Sequence, residues 1–276
     1  MAFTIDPNTP PKSVPLIKWP GGKRALLKDL LLLLPNSANK YFEPFLGGAA
    51  LFFALQPRKS VLSDTNEELI NLYVHVRDCP DALIHVIRSY KNTETAYYQI
   101  RDQTPRSPLR RAARLLYLTT LSFNGIHRVN LQGKFNVPYG HKTHLPTCDE
   151  QKILTASDAL AGASLAVGDF EKLTANARKD DLVYFDPPYT VAHAHNGFVK
   201  YNEKIFSWDD QLRLAEHAKL LVKRGCHVII SNADHASVQE LYRDFTCTTI
   251  ERFSRIAASG SHRRKITEAV YYNVGG

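Results

Sequence analysis

The sequence predicts an α/β fold in which a largely parallel sheet is wound on both sides by helices and interrupted by one inserted segment. Short apolar runs end in acidic residues at several places, as in DLVYFDPPY at 181–189. Continuous apolar runs of this kind are typical of parallel strands buried on both faces. Helical patterns separate the runs, and residues 78–149 break the alternation with a different composition. A chain of 276 residues suits one core domain with such an insertion.

The alternation of strands and helices begins within residues 41–77. The stretch YFEPFLGGAALFFAL (41–55) is apolar up to a glycine pair and then continues as a helical pattern, which indicates a strand, a turn and a helix. A second short strand over 60–63 ends at Asp64, and the helix after it has apolar residues spaced for one face. We therefore predict the opening β-α-β-α of a doubly wound sheet.

Residues 78–149 are predicted to be an insertion with its own function. In its second part, Gln132 and Gly133 lie between two short alternating runs, which predicts a β-hairpin rich in asparagine and aromatic residues. Its first part is an arginine-rich helical stretch that suits phosphate groups, although a solvated helix face is a serious alternative. The arginines of this stretch are Arg101, Arg106, Arg110, Arg111 and Arg114.

The sheet pattern resumes after residue 149. Strands are predicted at 164–170, 181–189 and 227–234, with a helix from about 208 to 223 before the last of them. Two β-rich segments complete the chain around a polar loop, whose basic residues 259–265 could contact phosphate or simply connect strands. The predicted catalytic domain is thus formed by residues 1–77 and 150–276, and the insertion by 78–149.

The composition favours a nucleic-acid partner without requiring one. A net charge of +8 and a pI near 9.2 fit a polyanion, although ordinary solvation of a basic protein explains them equally well. The four cysteines are scattered without CxxC spacing, so neither a zinc site nor a disulfide framework is predicted. Apolar runs such as 30–34 are too short to cross a bilayer, and residues 1–15 look like a proline-rich disordered segment rather than a signal peptide. We expect a cytoplasmic protein.

The most specific chemical signal is DPPY at 186–189. The two prolines have no N–H donor, and their carbonyls can only accept hydrogen bonds. An ionised Asp186 is also an acceptor only, and the aromatic ring of Tyr189 lies nearby in sequence. The matching ligand is a planar group with an amine to donate, such as the exocyclic amine of a nucleobase. A proline-capped strand end with a solvated acid is the alternative, but the preceding strand and the adjacent tyrosine favour a site.

DPPY is the last of six motifs that occur in a fixed order. They are IKWPGGK (17–23), FEPFLGG (42–48), SD-x-N (63–66), FNGIHRVNLQGKFNVPYG (123–140), VGDF (167–170) and DPPY (186–189). Together they resemble the Dam-type DNA adenine-N6 methyltransferases of the D12 class, alpha group, over about residues 16–273. The resemblance implies a Rossmann-like sheet that binds S-adenosylmethionine (AdoMet) and a mostly helical target-recognition insertion with a hairpin. It also implies methylation of a flipped-out adenine in double-stranded DNA, within GATC.

The resemblance implies which residues hold AdoMet. Gly47 and Gly48 would let the backbone approach the cofactor, with Ala49 where relatives commonly have glycine. Asp64 would bind the ribose hydroxyls, although an N-cap of the next helix is the alternative. Lys23 would pair with the methionine carboxylate. The full implied set is Trp19, Lys23, Phe45, Gly47, Gly48, Asp64, Asp169, Phe170 and Asp186.

The catalytic and DNA-contacting residues follow in the same way. Asp186 and the carbonyl of Pro187 would accept hydrogen bonds from adenine N6, and Tyr189 would stack on the flipped base. In the hairpin, arginine and asparagine side chains suit the major groove, and Phe123 and Ile126 could wedge into the base stack. No metal ligand set is expected. The implied DNA-binding residues are Arg101, Phe123, Asn124, Ile126, Arg128, Asn130, Asn136 and Pro138.

Several alternatives stay open at this point. Cytosine-N4 methyltransferases share the architecture but more often have serine at the position of Asp186, and RNA adenine is a possible substrate. A DNA-binding protein without catalysis is a rival from another class. A small-molecule methyltransferase does not explain the basic insertion. No obligate protein partner is indicated, and the motifs do not separate a member of a restriction–modification pair from a solitary enzyme.

Overall fold

The computed structural model describes residues 2–8, 13–191, 206–253 and 265–273 and confirms the predicted α/β fold. Within these residues, seven strands form one sheet of order β5-β4-β3-β6-β7-β9-β8. The five strands from β5 to β7 in this order are parallel, and β9 is antiparallel to both β7 and β8. The bounds are β1 Phe3–Thr4, β2 Ser37–Ala38, β3 Tyr41–Glu43, β4 Ser60–Asp64, β5 Ala163–Val167, β6 Leu182–Phe185, β7 His227–Ala233, β8 Thr246–Phe253 and β9 Lys265–Tyr272.

Helices connect the parallel strands and also form most of the insertion. Several begin as their sequence indicates: Pro80 and Pro108 occupy the first turns of two helices, and Ser207 and Asp210 form a capping box at the start of a third. None of the described helices is long and apolar enough to cross a membrane. The bounds are α1 Leu27–Leu32, α2 Ala50–Leu55, α3 Glu67–Asp78, α4 Pro80–Arg88, α5 Glu94–Asp102, α6 Pro108–Leu121, α7 Glu150–Leu160, α8 Phe170–Thr174, α9 Trp208–Lys223 and α10 Ala236–Leu241.

The sheet is buried on both faces because successive strand residues point to opposite sides. In β3, Tyr41 belongs to the apolar core beneath α1–α3, whereas Phe42 belongs to the core beneath α9 and α10. In β6, Tyr184 and Phe185 divide in the same way. This two-sided burial explains the continuous apolar runs in the sequence.

The insertion packs directly on the catalytic domain. Leu83 of α4, Tyr97 of α5 and Leu116 of α6 share one continuous apolar core with Tyr73 of α3 and Ile153 of α7. The predicted hairpin is confirmed by the antiparallel bridge between Val129 and Phe135, although the paired segments are too short to count as strands. The domain boundary at residues 78 and 149 stays a prediction.

The expectation of a disordered segment over residues 1–15 is wrong for the described part of it. The strand β1 pairs with β2 in an antiparallel ribbon, and Ile5 is buried in the core. Ser13 donates its hydroxyl hydrogen bond to the carbonyl of Phe53. Burial of Ile5 and the hydrogen bonds of the ribbon offset the chain entropy that is lost when this segment becomes ordered. The proline content of the segment does not reveal these contacts. The basic residues 259–264 of the predicted polar loop lie outside the described residues.

Candidate active site

Acidic residues from three neighbouring strands meet at one edge of the sheet. Glu43 and Asp64 are the last residues of β3 and β4, and Asp186 directly follows β6. The carboxyl ends of parallel strands share an edge, and ligands bind there in open α/β sheets. The strand pattern of the sequence therefore placed the DPPY motif correctly.

Asp186 lies in a cluster of buried charges that includes one cation. The ammonium of Lys23 is 2.7 Å from Oδ1 of Asp186 and 3.6 Å from Oε2 of Glu268. The side chains of Lys23 and Glu268 are only 5% and 2% exposed, and that of Asp186 is 17% exposed. Charges this deeply buried persist only when they are paired. Lys23 therefore fixes the Asp186 carboxylate, whereas the sequence motif implied that it meets the cofactor carboxylate.

Tyr189 is tied into the same cluster. Its hydroxyl donates a 2.6 Å hydrogen bond to Oε2 of Glu268, and the Lys23 ammonium lies 4.7 Å from the centre of its ring. Burial, followed by the charges of Asp186 and Glu268, raises the pKa of Tyr189 well above its ordinary value. The tyrosine therefore remains a neutral donor, and its ring is held in one orientation.

The two proline carbonyls of DPPY differ in their surroundings. The side chain of Gln211 donates to the carbonyl of Pro188 at 3.3 Å, and Asn232 donates to Gln211 at 3.0 Å. Both amides are fully buried. Because Gln211 occupies the Pro188 carbonyl, the carbonyl of Pro187 is the better acceptor for a ligand beside Asp186. The role of the Pro187 carbonyl that the sequence motif implied stays a prediction.

Glu43 adds a second buried carboxyl group near the cluster. Its side chain accepts a 2.9 Å hydrogen bond from the hydroxyl of Tyr41, and the residue is 3% exposed. Burial raises the pKa of Glu43 to about 8, opposed in part by the Tyr41 hydrogen bond and reinforced by Asp186. The carboxyl group is therefore largely neutral at pH 7.

The glycine turn has the shape of a cradle with no room for side chains. Gly47 has φ +46°, and a Cβ there would lie 3.1 Å from Cδ1 of Trp19. The N–H of Gly47 donates to Oδ2 of Asp64 at 3.0 Å, and the hydroxyl of Tyr73 donates to the Gly47 carbonyl at 3.1 Å. Gly48 follows without a left-handed φ, while Ala49 takes one at +56°. Backbone held in this way, without side chains at two successive positions, fits the close approach of a small ligand.

Asp64 stabilises this turn rather than capping the next helix. Its two carboxylate oxygens accept from the N–H groups of Gly47 and Asn66, and Asn66 is the residue whose side chain caps α3. The alternative that Asp64 is the N-cap is therefore wrong, because the cap lies two residues later. Burial raises the pKa of Asp64. A carboxylate oxygen retains further lone pairs, so a ribose hydroxyl fits beside the turn.

Asp169 and Phe170 lie at the end of β5, where the sequence placed them. The Asp169 carboxylate caps α8 through the N–H of Glu171, and its other oxygen is 2.7 Å from the guanidinium of Arg213. Phe170 is buried, and its ring packs 5.6 Å from that of Phe45. Phe45 and Phe170 thus form an apolar wall beside the glycine turn.

Trp19 joins the glycine turn to the hairpin. Its ring stacks on His127 with centroids 4.4 Å apart and planes 15° from parallel, while its edge faces Gly47. Burial and the nearby Arg114 lower the pKa of His127 to about 4, so the imidazole is neutral at pH 7. A neutral aromatic pair therefore connects the catalytic edge to the inserted segment.

The hairpin presents the predicted arginine and asparagine side chains on an exposed surface. The Nε of Arg128 donates to Oδ1 of Asn136 at 2.8 Å, so these two predicted DNA contacts form one cross-strand pair. Oδ1 of Asn130 accepts from the N–H groups of Gln132 and Lys134 and shapes the turn. Arg128 and Asn136 are thus brought together, whereas Asn130 has a structural role in the described conformation.

The base of the hairpin exposes apolar side chains. Phe123 is 54% exposed and Ile126 is 36% exposed, with the exposed Asn124 between them at φ +55°. The carbonyl of Pro138 accepts from the N–H of Phe123 and fixes this corner. Leu131 at the hairpin tip, which the motif did not single out, is 90% exposed. Exposed apolar side chains next to cationic ones suit contact with stacked bases.

The arginine-rich stretch is divided between two helices and is only partly available to a ligand. Arg111 pairs with Glu68, and Arg114 donates to backbone carbonyls at the end of α5. Arg101 packs on the ring of Tyr98 and pairs with Asp102, while Arg106 and Arg110 are exposed. Arg106 and Arg110 are therefore available to phosphate or to solvent, and the choice between these stays open, whereas the other arginines serve packing and ion pairs.

Several residues of the site were not identified from the sequence, although some carried a signal. A glutamate inside the apolar run YFEPF and an asparagine ending the run HVIISN are polar residues where a buried strand ends, which marks them for attention. Glu268, Gln211 and His127 carried no local signal, because only the fold brings them to the site. Among the residues that the structure describes, no group of His, Cys, Asp or Glu side chains could hold a metal ion.

The sheet order and the carboxylate cluster at its carboxyl edge define an α/β enzyme that offers hydrogen-bond acceptors to a planar amine. The family model described as D12 class N6 adenine-specific DNA methyltransferase matches residues 19–256, and the chain belongs to this family. It is an adenine-specific DNA methyltransferase. The resemblance that the six motifs indicated is confirmed.

Proteins similar to the chain match it along nearly their whole length. It is 40% identical over 271 residues to the Type II methyltransferase M1.LlaDCHI of Lactococcus lactis subsp. cremoris, with 95% of each chain covered. It is 32% identical over 274 residues to the Type II methyltransferase M.MjaIII of Methanocaldococcus jannaschii, covering 91% of this chain and 95% of the relative. It is 33% identical over 263 residues to the DNA adenine methylase of Escherichia coli K12, covering 93% and 94%.

Proposed function

We propose that this methyltransferase transfers a methyl group from AdoMet to N6 of a flipped-out adenine in double-stranded DNA, within GATC. The observation that carries the proposal is the Asp186 carboxylate, which is held by Lys23 and is followed directly in the chain by Pro187 with its carbonyl. Together they offer two acceptors, which match the two N–H groups of an exocyclic amine. The cytoplasmic location, and the choice between a restriction–modification partner and a solitary enzyme, stay predictions.

The glycine turn and its neighbours fit AdoMet. Gly47 has no room for a Cβ, Asp64 can accept from ribose hydroxyls, and Trp19 with Phe45 and Phe170 supplies apolar walls. When bound, AdoMet supplies an electrophilic methyl group on its sulfonium. Since Lys23 contacts Asp186 and Glu268, we assign it to the catalytic carboxylate rather than to the cofactor. Asp169 already has Arg213 and the end of α8 as partners, so we assign it a supporting role.

The chain's own residues prepare the amine for attack. Adenine N6 is a weak nucleophile because its lone pair is delocalised into the ring. Acceptance of its two N–H hydrogens by Asp186 and the Pro187 carbonyl favours a tetrahedral nitrogen with a localised lone pair. The Asp186 carboxylate then stabilises the positive charge that develops on N6. Tyr189, held by Glu268, is oriented to stack on the base, and the positioning of both reactants lowers the barrier further.

The hairpin is assigned to DNA recognition. Arg128 lies on the exposed face of the hairpin, where a guanidinium can reach guanine O6 and N7 in the major groove. Asn136 holds this guanidinium, and Asn124 lies at the exposed base of the hairpin. We assign Phe123 and Ile126, which are both exposed, to the space that the flipped adenine would leave. Unstacking that adenine costs roughly a few kcal/mol, which such contacts offset.

The test uses purified protein, labelled AdoMet and unmethylated plasmid. The product is digested to nucleosides to find which one carries the label, and it is challenged with a nuclease that methylation of GATC blocks. N6-methyladenine with protected GATC sites supports the full proposal. N6-methyladenine without protection refutes GATC, and label on cytosine, or on none of the nucleosides, refutes adenine in double-stranded DNA as the substrate. The Asp186→Asn variant is the matched control, because it keeps the shape of the side chain but removes its charge.

A further inference from the structure

A basic pocket lies outside the carboxylate cluster and the hairpin, between three segments of the chain. Its volume is about 300 Å³, and its walls come from residues 16–24, from the end of α6 with Gly125, and from the start of α7. The four cations of the basic pocket are Lys18, Arg24, Lys142 and Lys152, and Asp149 is the carboxylate among its lining residues.

The cations of the basic pocket form no ion pair within the described residues, although the Asp149 carboxylate lies near enough to raise the pKa of Lys152. No ion pair joins any of them to a carboxylate in that part of the chain. Asp149 is engaged as the N-cap of α7, where it accepts from the N–H of Lys152. Each cation instead donates to a backbone carbonyl: Lys18 to Asn124, Arg24 to Pro15, Lys142 to Thr120 and Lys152 to Leu16.

The crowding of these charges is unfavourable without an anion. Burial and the nearby Lys18 lower the pKa of Lys142, and burial with Arg24 lowers the pKa of Lys152. Capping of the end of α6 accounts for Lys142, whose partner Thr120 is in its last turn. It does not account for Arg24 or Lys152, which donate to the carbonyls of Pro15 and Leu16. An anion in the basic pocket would offset the repulsion of Lys142 by Lys18 and that of Lys152 by Arg24 and Lys18.

The position of the basic pocket indicates the source of the anion. Gly125 lines it, and the neighbouring Phe123 and Ile126 are exposed at the base of the hairpin. A Cβ on Gly125 would lie 3.4 Å from Nζ of Lys142, so the glycine leaves room for the ammonium beside the backbone. The volume fits a phosphate group but is too small for a base pair. We propose that the basic pocket binds one backbone phosphodiester of the DNA that the hairpin contacts.

The inference rests on the proposed contact between the hairpin and double-stranded DNA, and its test measures binding without methylation. Affinity for a GATC duplex and for a scrambled duplex is measured between about 50 and 200 mM salt for Arg24→Gln, Lys152→Gln and wild type. Each phosphate contact contributes about −0.9 to the slope of log affinity against log salt. Each variant is expected to bind both duplexes more weakly than wild type does. The ratio of wild-type to variant affinity should fall by roughly 3.5-fold from the lowest to the highest salt, which is a slope of about −0.9 applied to a fourfold change in salt.

Two further measurements separate the other outcomes. Lys223→Gln, at the exposed end of α9 under the opposite face of the sheet, is the charge-matched control and should bind as wild type does. Inorganic phosphate is added to each protein, and its effect on the melting temperature is compared with that of chloride at equal ionic strength. An unchanged salt slope together with loss of the phosphate effect would assign the pocket to free phosphate and overturn the proposal. An unchanged slope without any phosphate effect, or a deficit confined to the GATC duplex, would overturn it as well. Failure of GATC protection in wild type would refute the proposed target without altering the salt slopes.

Discussion

Replacement of Lys23 by methionine tests whether one ammonium holds the Asp186 carboxylate in place. Methionine keeps the length and the apolar contacts of the side chain but removes the charge. At an effective dielectric constant near 20, the separations of 2.7 and 3.6 Å give attractions of about 6 and about 5 kcal/mol. Desolvation of the ammonium and of the two carboxylates offsets much of this. Removal of one partner from a buried ion pair costs about 3–5 kcal/mol, which is the expected loss for Lys23→Met.

The assay is urea unfolding of wild type, Lys23→Met, Glu268→Gln and the double variant. Glu268→Gln keeps an acceptor for the Tyr189 hydroxyl and leaves the pair of Lys23 with Asp186 intact, so it should cost only about 1 kcal/mol. With one carboxylate already removed, the lysine substitution should cost less, with a coupling energy of about 0.5–3 kcal/mol. Turnover of Lys23→Met should also fall by about 10²-fold, because Asp186 loses its fixed position. A fully stable Lys23→Met variant with wild-type turnover would refute the reasoning.

Three other changes test separate parts of the structure. The pKa of Glu43 is about 8 in the folded protein, against an ordinary value of 4.5. Between these two pH values the native state keeps a proton that the unfolded state loses. Wild type should therefore lose up to about 1.4 kcal/mol of stability for each pH unit by which the pH rises. Glu43→Gln should not show this loss of stability between pH 5 and 8. The measurement is urea unfolding at both pH values, and an equal decline in the free energy of unfolding of both proteins would contradict the prediction. Gly47→Ala should weaken AdoMet binding in calorimetry at least tenfold, since its Cβ meets Trp19, whereas Gly133→Ala, also at positive φ but in open space, should bind normally. Arg128→Ala should lower the discrimination between target sequences by about 1–3 kcal/mol, while its affinity for AdoMet stays constant. If methylation of a duplex library shows an unchanged sequence preference, Arg128 does not contact the bases that specify the target.

The local sequence determined most of the fold and those residues of the candidate site that lie in recognisable motifs. Apolar runs ending in Asp64 and Asp186 gave the parallel strands and their functional edge, and the helix predicted at about 208–223 is found at Trp208–Lys223. The hairpin followed from Gln132 and Gly133. These features are encoded by neighbours in sequence, through side-chain periodicity and turn propensity, so they can be recognised before the chain folds.

The partners of the Asp186 carboxylate were decided only by the tertiary structure. Glu268 lies 82 positions after Asp186 in the numbering, on an antiparallel strand at the far side of β7, and the sequence around it reads as an ordinary strand. Lys23 was assigned to the cofactor because it belongs to the motif IKWPGGK, which resembles that of the family. Its contact with Asp186 is visible only in the tertiary structure.

The same division holds for the inserted segment and the basic pocket. The stack of Trp19 on His127 and the convergence of Lys18, Arg24, Lys142 and Lys152 join segments more than 100 residues apart. Local patterns report which face of a strand or helix is apolar, but they do not report which distant charge it meets. That choice depends on long-range packing, where the low dielectric of the interior makes each pairing of charges strong and each unpaired charge costly.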